Sequence, residues 1–175
     1  MSGTTEAVFG RIYLDSNVLL ALLGGDADAE VARLLVEMVG AVRQSTHVPF
    51  ATSELSLAEC MVRALRSKAD AEILTIDSVL TSGPWLEVHE VSRDVLFGAA
   101  LARSRYSSIK LPDAIHLATA ISSGCTEILT ADTGLKGDYV LIDDRWGQAG
   151  VSQAVQVIRP DAVTLRSIVV WLATI

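Results

Sequence analysis

Four carboxylates stand out by where they fall: Asp15, Glu59, Asp113 and Asp132. Asp15 closes the β-prone run Arg11-Ile12-Tyr13-Leu14, and Asp132 comes just past Glu127-Ile128-Leu129-Thr130. Asp113 lies in the first turn of the apolar stretch from Leu111 to Ala120, where Pro112 suits the first helical position and the helix dipole favours an anion. Glu59 interrupts a helical run among Leu55, Ala58, Cys60 and Val62. Taken singly, each is an ordinary helix-end or solvated acid. Brought together, four anions repel one another by something on the order of several kcal/mol, so the cluster needs protonation or a cation. Oxygen donors without a Cys or His set suit Mg²⁺ or Mn²⁺. Such ions activate water, orient it for in-line attack on a phosphodiester and neutralise the charge that develops. The chemistry these residues point to is metal-dependent phosphodiester hydrolysis.

The elements that must position these acids alternate between strand and helix. After the strand over residues 11–14, Asp15-Ser16-Asn17 turns the chain and caps a helix through Val18 to Leu23, which Gly24-Gly25 ends. Asp26 to Val42 is helical in period, with Val31, Leu34, Leu35 and Met38 on its core face. His47-Val48-Pro49-Phe50 reads as a second strand ending near Pro49, and Thr52 or Ser53 caps the Glu59 helix. Further helices are expected over 69–80 and 92–106, with a half-buried strand over 85–88 between them. Val95, Leu96, Ala99 and Leu101 form the stripe of the second helix. Gly124 closes the Asp113 helix. Tyr139 to Ile142 forms a brief strand, Val155 to Arg159 a clearer one, and Pro160-Asp161 opens a terminal helix. Alternating units of this kind imply an α/β fold with a largely parallel sheet, and ligands of such sheets lie beyond the carboxyl ends of the strands.

Length and composition agree. A chain of 175 residues buries about two thirds of its unfolded surface. We therefore expect residues 1–10 as a loose leader and 11–175 as a single domain. Half the residues are hydrophobic but only 5% aromatic, so Ala, Val, Leu and Ile must fill the core. The apolar runs are too short to cross a bilayer and the first ten residues carry no Lys or Arg, which makes a cytoplasmic protein the expectation. Cys60 and Cys125 lack ligand spacing and read as small buried hydrophobes. A net charge of −7 predicts no broad basic face. It leaves room for a nuclease, because carboxylates gathered around cations add to that charge before the metal is counted.

The motifs Tyr13-Leu14-Asp15-Ser16-Asn17-Val18-Leu19, Ser53-Glu54-Leu55-Ser56-Leu57-Ala58-Glu59, Leu111-Pro112-Asp113-Ala114-Ile115-His116-Leu117-Ala118 and Leu129-Thr130-Ala131-Asp132 occur in this order. Together they resemble the PIN-domain nucleases, specifically the VapC-type toxins of toxin–antitoxin modules, from about Ile12 to Pro160. The resemblance implies a three-layer α/β/α sandwich with a central, largely parallel sheet, a Mg²⁺ or Mn²⁺ site and endoribonuclease activity. It matches Asp15, Glu59, Asp113 and Asp132 to the acidic quartet, and gives Ser16, Asn17 and Thr130 the task of ordering the site by hydrogen bonds. Asp15, Asp113 and Asp132 are the expected metal ligands, with Glu59 close enough to hold a coordinated water. The expected partners are an RNA substrate and a cognate antitoxin, with no membrane.

The chain departs from that pattern in an extra stretch over 138–153, where Asp143 and Asp144 read as solvated loop acids. His116, three residues after Asp113, either shares the mouth of the site, touching phosphate or donating a proton, or packs as an ordinary helix histidine. Arg63, Arg66, Arg103, Arg105 and Lys110 are candidate RNA-backbone contacts if they are more than solvated surface. The apolar residues of the terminal helix, Ile168 to Leu172 and Ile175, imply surface for a homodimer or an antitoxin helix. Two alternatives to an RNA-cleaving toxin remain, a non-catalytic scaffold on the same fold and a metal-dependent enzyme acting on DNA or another phosphate ester.

Overall fold

The computed structural model describes residues 9–42, 47–143 and 149–175. In chain order these form β1 (Ile12–Leu14), α1 (Ser16–Leu22), α2 (Ala29–Ala41), β2 (Phe50–Ser53), α3 (Glu54–Ser67), α4 (Asp70–Val79), β3 (Leu86–His89) and α5 (Arg93–Arg105). There follow α6 (Leu111–Ser122), β4 (Glu127–Leu129), β5 (Asp138–Tyr139), β6 (Ile142–Asp143), β7 (Gly150–Val151), β8 (Val155–Ile158) and α7 (Ala162–Leu172). The expected leader lies, for residues 1–8, outside the described residues, as does Asp144.

Six strands make one sheet in the order β3-β2-β1-β4-β8-β5, parallel throughout except for β5, which runs antiparallel to β8. The pleat sorts the core into two layers. Ile12, Leu14, Phe50 and Leu129 face one way, onto Val18 and Leu19 of α1, Leu35 and Met38 of α2, Cys60 of α3, Ile76 of α4 and Ile168 of α7. Tyr13, Ala51 and Ile128 face the other, onto Val95, Ala99 and Ala102 of α5 and Ala114, Leu117 and Ala120 of α6. This is the three-layer α/β/α sandwich expected, with strands buried on both faces. Small residues let α5 and α6 approach closely; a Cβ added at Gly98 would stand 3.2 Å from that of Ala118. Gly124, at φ +73, closes α6 in a left-handed turn.

Several boundaries differ from expectation. The second strand is not 47–50 but Phe50–Ser53, with Pro49 leading into it and offering its carbonyl to the Ile12 amide at 3.0 Å. Of the two cap candidates, Ser53 takes the N-cap position of α3 without a side-chain capping bond, and Thr52 does not cap; both are fully buried in this strand. Thr52 Oγ1 donates to the Leu14 carbonyl at 2.8 Å, which removes the cost of burying it. Helix α6 starts at Leu111, one residue before Pro112, which still falls where its missing N–H goes unused. In α5 the buried residues are Val95, Ala99 and Ala102, while Leu96 is exposed.

The single strand expected over 139–142 divides in two. Tyr139 pairs with Val155, Ile142 pairs with Val151, and the Tyr106 hydroxyl bridges between by contacting both the amide and the carbonyl of Val140. Asp143, expected in a loop, is half-buried in β6. Helix α7 turns Leu165, Ile168, Trp171 and Leu172 into the core, so most of the stripe on which a dimer face was expected packs within the chain. Val163, Val170 and Ile175 remain exposed. Among the described residues no helix is long and apolar enough to cross a membrane.

Both cysteines are buried and free, as their spacing implies. Burial pushes the Cys60 thiol up to about 12, helped by the charges of Glu59 and Asp15, and burial pushes Cys125 up to about 11. With almost no thiolate at neutral pH, neither should react with a thiol reagent such as DTNB until the chain unfolds. Two fast-reacting equivalents in guanidinium and none in buffer is the expected result; a native fast-reacting thiol would contradict this packing.

Candidate active site

The sheet order places a topological switch point between β1 and β4, since the chain leaves β1 towards β2 on one side while β4 joins on the other. The crevice beyond the carboxyl ends of two such strands is where open α/β sheets hold ligands. Leu14 pairs with Leu129, so the residues just past these strands come out side by side. Asp15 follows the first, and Asp132 follows the second by three residues.

Asp15 is 5% exposed and saturated with donors. Its Oδ1 accepts from the Ser16 amide at 2.7 Å and from Ser16 Oγ at 3.3 Å. Its Oδ2 accepts from Asn17 Nδ2 and from Thr130 Oγ1, each at 2.5 Å. These are the three residues given an ordering task by resemblance, and the bonds extend further. Asn17 Oδ1 accepts from the Ala131 amide at 2.8 Å, and Thr130 Oγ1 accepts from the Asp132 amide at 2.9 Å. The start of α1 and the loop after β4 are therefore tied through the side chains around Asp15.

Asp132 accepts from the Gly134 amide at 2.8 Å, a tight turn of its own loop. Gly134 is also where Asp132 and Asp113 meet. A Cβ there would stand 3.2 Å from Asp132 Oδ1 and 3.6 Å from Asp113 Oδ2. Arg159, at the end of β8, reaches under this loop and donates to the carbonyls of Thr130 (2.9 Å), Asp132 (2.5 Å) and Leu135. Its part could have been inferred only from the register, because Ile158 pairs with Leu129.

Glu59 projects from α3 and meets His116 of α6, whose Nε2 lies 3.0 Å from Glu59 Oε2 and 3.4 Å from Asp15 Oδ1. One donor atom each from Asp15, Glu59 and His116 fall within 4.8 Å of one another. The hydrogen bond from His116 holds the Glu59 carboxyl below its usual range, with burial opposing it. Asp113 shows the opposite shift. Burial first, then the charges of Asp132 and Asp15, raise its carboxyl above the ordinary range. All four acids of the quartet thus share one edge of the sheet, and Asp113 registers the charge of two others.

The remaining candidates separate. His116 is 2% exposed, with both ring nitrogens engaged inside the protein, so it does not present itself to a phosphate. Arg63 is exposed but paired to Glu72 at 2.8 Å. Arg103 Nε donates to the Ile109 carbonyl at 3.3 Å, and Arg105 lies over the Tyr106 ring. Lys110 precedes α6 and weakly opposes the rise at Asp113. A groove of about 650 Å³ lined by Asn17, Glu59, Arg63 and Arg66 opens on one side of the acids. A second of about 570 Å³, lined by Arg105, Lys136 and Asp138, opens beside Thr133 and Gly134 of the Asp132 loop. Lys136 was not legible as a site residue, being a lone cation in a loop.

The residues present fit a divalent cation: among the described residues Asp15 and Glu59 offer carboxylate oxygens within 4.8 Å of each other and of a His116 ring nitrogen, and Asp113, raised first by burial, also feels the charges of Asp132 and Asp15. The PIN domain family model matches residues 12–137, and the chain belongs to that family. Among solved structures it is similar to a toxin–antitoxin complex from Klebsiella pneumoniae, at 26% identity and a TM-score of 0.52 over 70% of this chain and 87% of that one. It is similar in fold to Mycobacterium tuberculosis VapC20, a sarcin–ricin loop cleaving toxin, at 21% identity and a TM-score of 0.55 over 70% of this chain and 90% of that one. No curated protein sequence matches it.

The Asp113 shift has a consequence for stability without metal. Because its folded pKa is raised, the folded state holds more protons than the unfolded one between the ordinary and raised values, and stability falls as pH rises through that window. Asp113→Asn should therefore raise the melting temperature in EDTA at pH 7 by something on the order of 2 °C. The gain should shrink as pH falls towards the ordinary carboxyl value of 3.8. Thermal melts across pH check this, and a variant less stable than wild type at pH 7 would contradict it.

Proposed function

We propose that this chain is a metal-dependent endoribonuclease and the toxin of a toxin–antitoxin pair. The observation that carries the reading is the placement of Asp15, Asp113 and Asp132 at the switch point, where burial first and then the charges of Asp132 and Asp15 raise the Asp113 carboxyl, with Glu59 brought beside Asp15 by His116. Asp15, Asp113 and Asp132 would hold Mg²⁺ or Mn²⁺, and Glu59 would hold a water beside them. When bound, the cation activates that water and offsets charge developing on the phosphate. The protein's own part is placement. Ser16, Asn17 and Thr130 fix Asp15, Arg159 fixes the loop of Asp132, and the Glu59 carboxylate is kept ionised as an acceptor for the water's proton.

Substrate reading follows from charge. At −7 overall the chain has little general attraction for a polyanion, so backbone contact falls to the cations of the two grooves, Arg66 on one side and Arg105 and Lys136 on the other. This supports cutting at a few exposed sites in particular RNAs. The likeness to a toxin–antitoxin complex supports a protein antitoxin as partner.

Two experiments test the reading. Total RNA incubated with the Mn²⁺-loaded protein should yield a few discrete new 5′ ends, and Asp113→Asn should lower cleavage by about 10²-fold or more. Uniform digestion would refute selectivity, near-wild-type activity in the variant would refute the acidic site, and cleavage of DNA alone would refute the toxin assignment. Reversing charge in Arg105→Glu with Lys136→Glu should raise KM about tenfold while kcat stays within about twofold. Unchanged KM would remove that groove from the substrate path.

A further inference from the structure

Tyr13, Ser53 and His116 lie outside the acidic quartet yet form a buried line that ends on it. Tyr13 of β1 is wholly buried, its hydroxyl donating to Ser53 Oγ at 2.9 Å and lying 2.8 Å from His116 Nδ1 of α6. The far nitrogen, Nε2, faces Glu59 Oε2 at 3.0 Å with Asp15 Oδ1 beside it. Burial pushes the Tyr13 hydroxyl far above its usual range, so it stays a neutral hydrogen-bonding group. Carboxylate oxygens only accept, so the bond to Glu59 requires a proton on Nε2.

The need for such a line follows from the side chains. Asp15 is short, buried and held by four donors. Glu59 is longer, projects from an exposed helix and leaves 33% of its side chain accessible, so left alone it would sample several rotamers. Its principal hydrogen bond is the one from His116. A ring fixed at one nitrogen has its other nitrogen aimed, which is how outer partners orient the groups of a site.

We propose that His116 is a positioning residue for this reaction, aimed by Tyr13 and Ser53 so that Nε2–H holds the Glu59 carboxylate against Asp15. It rests on the nuclease reading above for its effect on catalysis, and on geometry alone for the bond. The bond is tested without any reaction. In metal-free protein labelled with ¹⁵N-histidine, the long-range ¹H–¹⁵N spectrum should show a proton on His116 Nε2, and Tyr13→Phe should broaden or shift that ring alone among the histidines. A bare Nε2 would overturn the proposal even if RNA is cut.

The catalytic arm compares His116→Leu with His116→Gln, whose amide can still donate to Glu59. The Leu variant should lose about 10- to 100-fold in kcat with KM little changed, and should bind Mn²⁺ more weakly in an EPR titration. The Gln variant, which also guards against a Leu variant that fails to fold, should recover at least about tenfold of that loss. No recovery in a folded Gln variant, or a loss confined to KM, would overturn positioning through the hydrogen bond. Wild-type protein that cuts no RNA would instead refute the nuclease reading and leave the spectroscopic arm to decide the bond.

Discussion

Everything at this sheet edge depends on keeping like charges together. Asp15, Glu59, Asp113 and Asp132 converge in a crevice, and a group of anions in partly desolvated surroundings is unfavourable unless each is compensated. The chain supplies the compensation unevenly. Asp15 has four donors and Glu59 has His116, whereas Asp113 has burial and two acidic neighbours, and its carboxyl rises accordingly. The part left uncompensated is what a divalent cation held at this edge would offset.

The fold delivers these groups through rigid connections. Register pairs Leu14 with Leu129 and Leu129 with Ile158, so Asp15, the Asp132 loop and Arg159 are set by three neighbouring parallel strands. Helices α3 and α6 come from opposite faces of the sheet, one bringing Glu59 and the other Asp113 and His116. The bond between Glu59 and His116 thus spans the end of the sheet and joins the two helical layers. Sites carried on strands and helices in this way hold geometry more closely than sites on loops, and the one loop involved is clamped by a guanidinium.

How much of this was legible follows from what each signal depends on. The strand ends at Asp15 and Asp132 and the first turn of Asp113 are local, so propensity and capping expose them. The layer order follows from alternation. Ser53 is the N-cap that local sequence suggests, but its place in a buried strand, like that of Thr52, is hidden until their partners, Tyr13 and Leu14, are known. His116 lies on the buried face of its helix, and nothing local shows that Tyr13, 103 positions earlier, turns its ring towards Glu59. Arg159 is hidden for the same reason, since its acceptors are carbonyls 24 to 29 residues away. Hydrogen bonds between distant parts of the chain leave no periodic trace.

Those unseen bonds also decide what the site can tolerate. A cluster organised only by a cation would leave the metal-free chain with loose, mutually repelling acids, and the fold would depend on metal for its stability. Here the donors are built in, so most of the negative charge is satisfied by Ser16, Asn17, Thr130 and His116 before any ion arrives. Asp113 is left without such donors, beside Asp132 at Gly134, where a Cβ would stand 3.2 Å from Asp132 Oδ1 and in ordinary contact with Asp113. A small stability cost at one corner, against order everywhere else, is the balance expected where activity needs charges that folding alone would disperse.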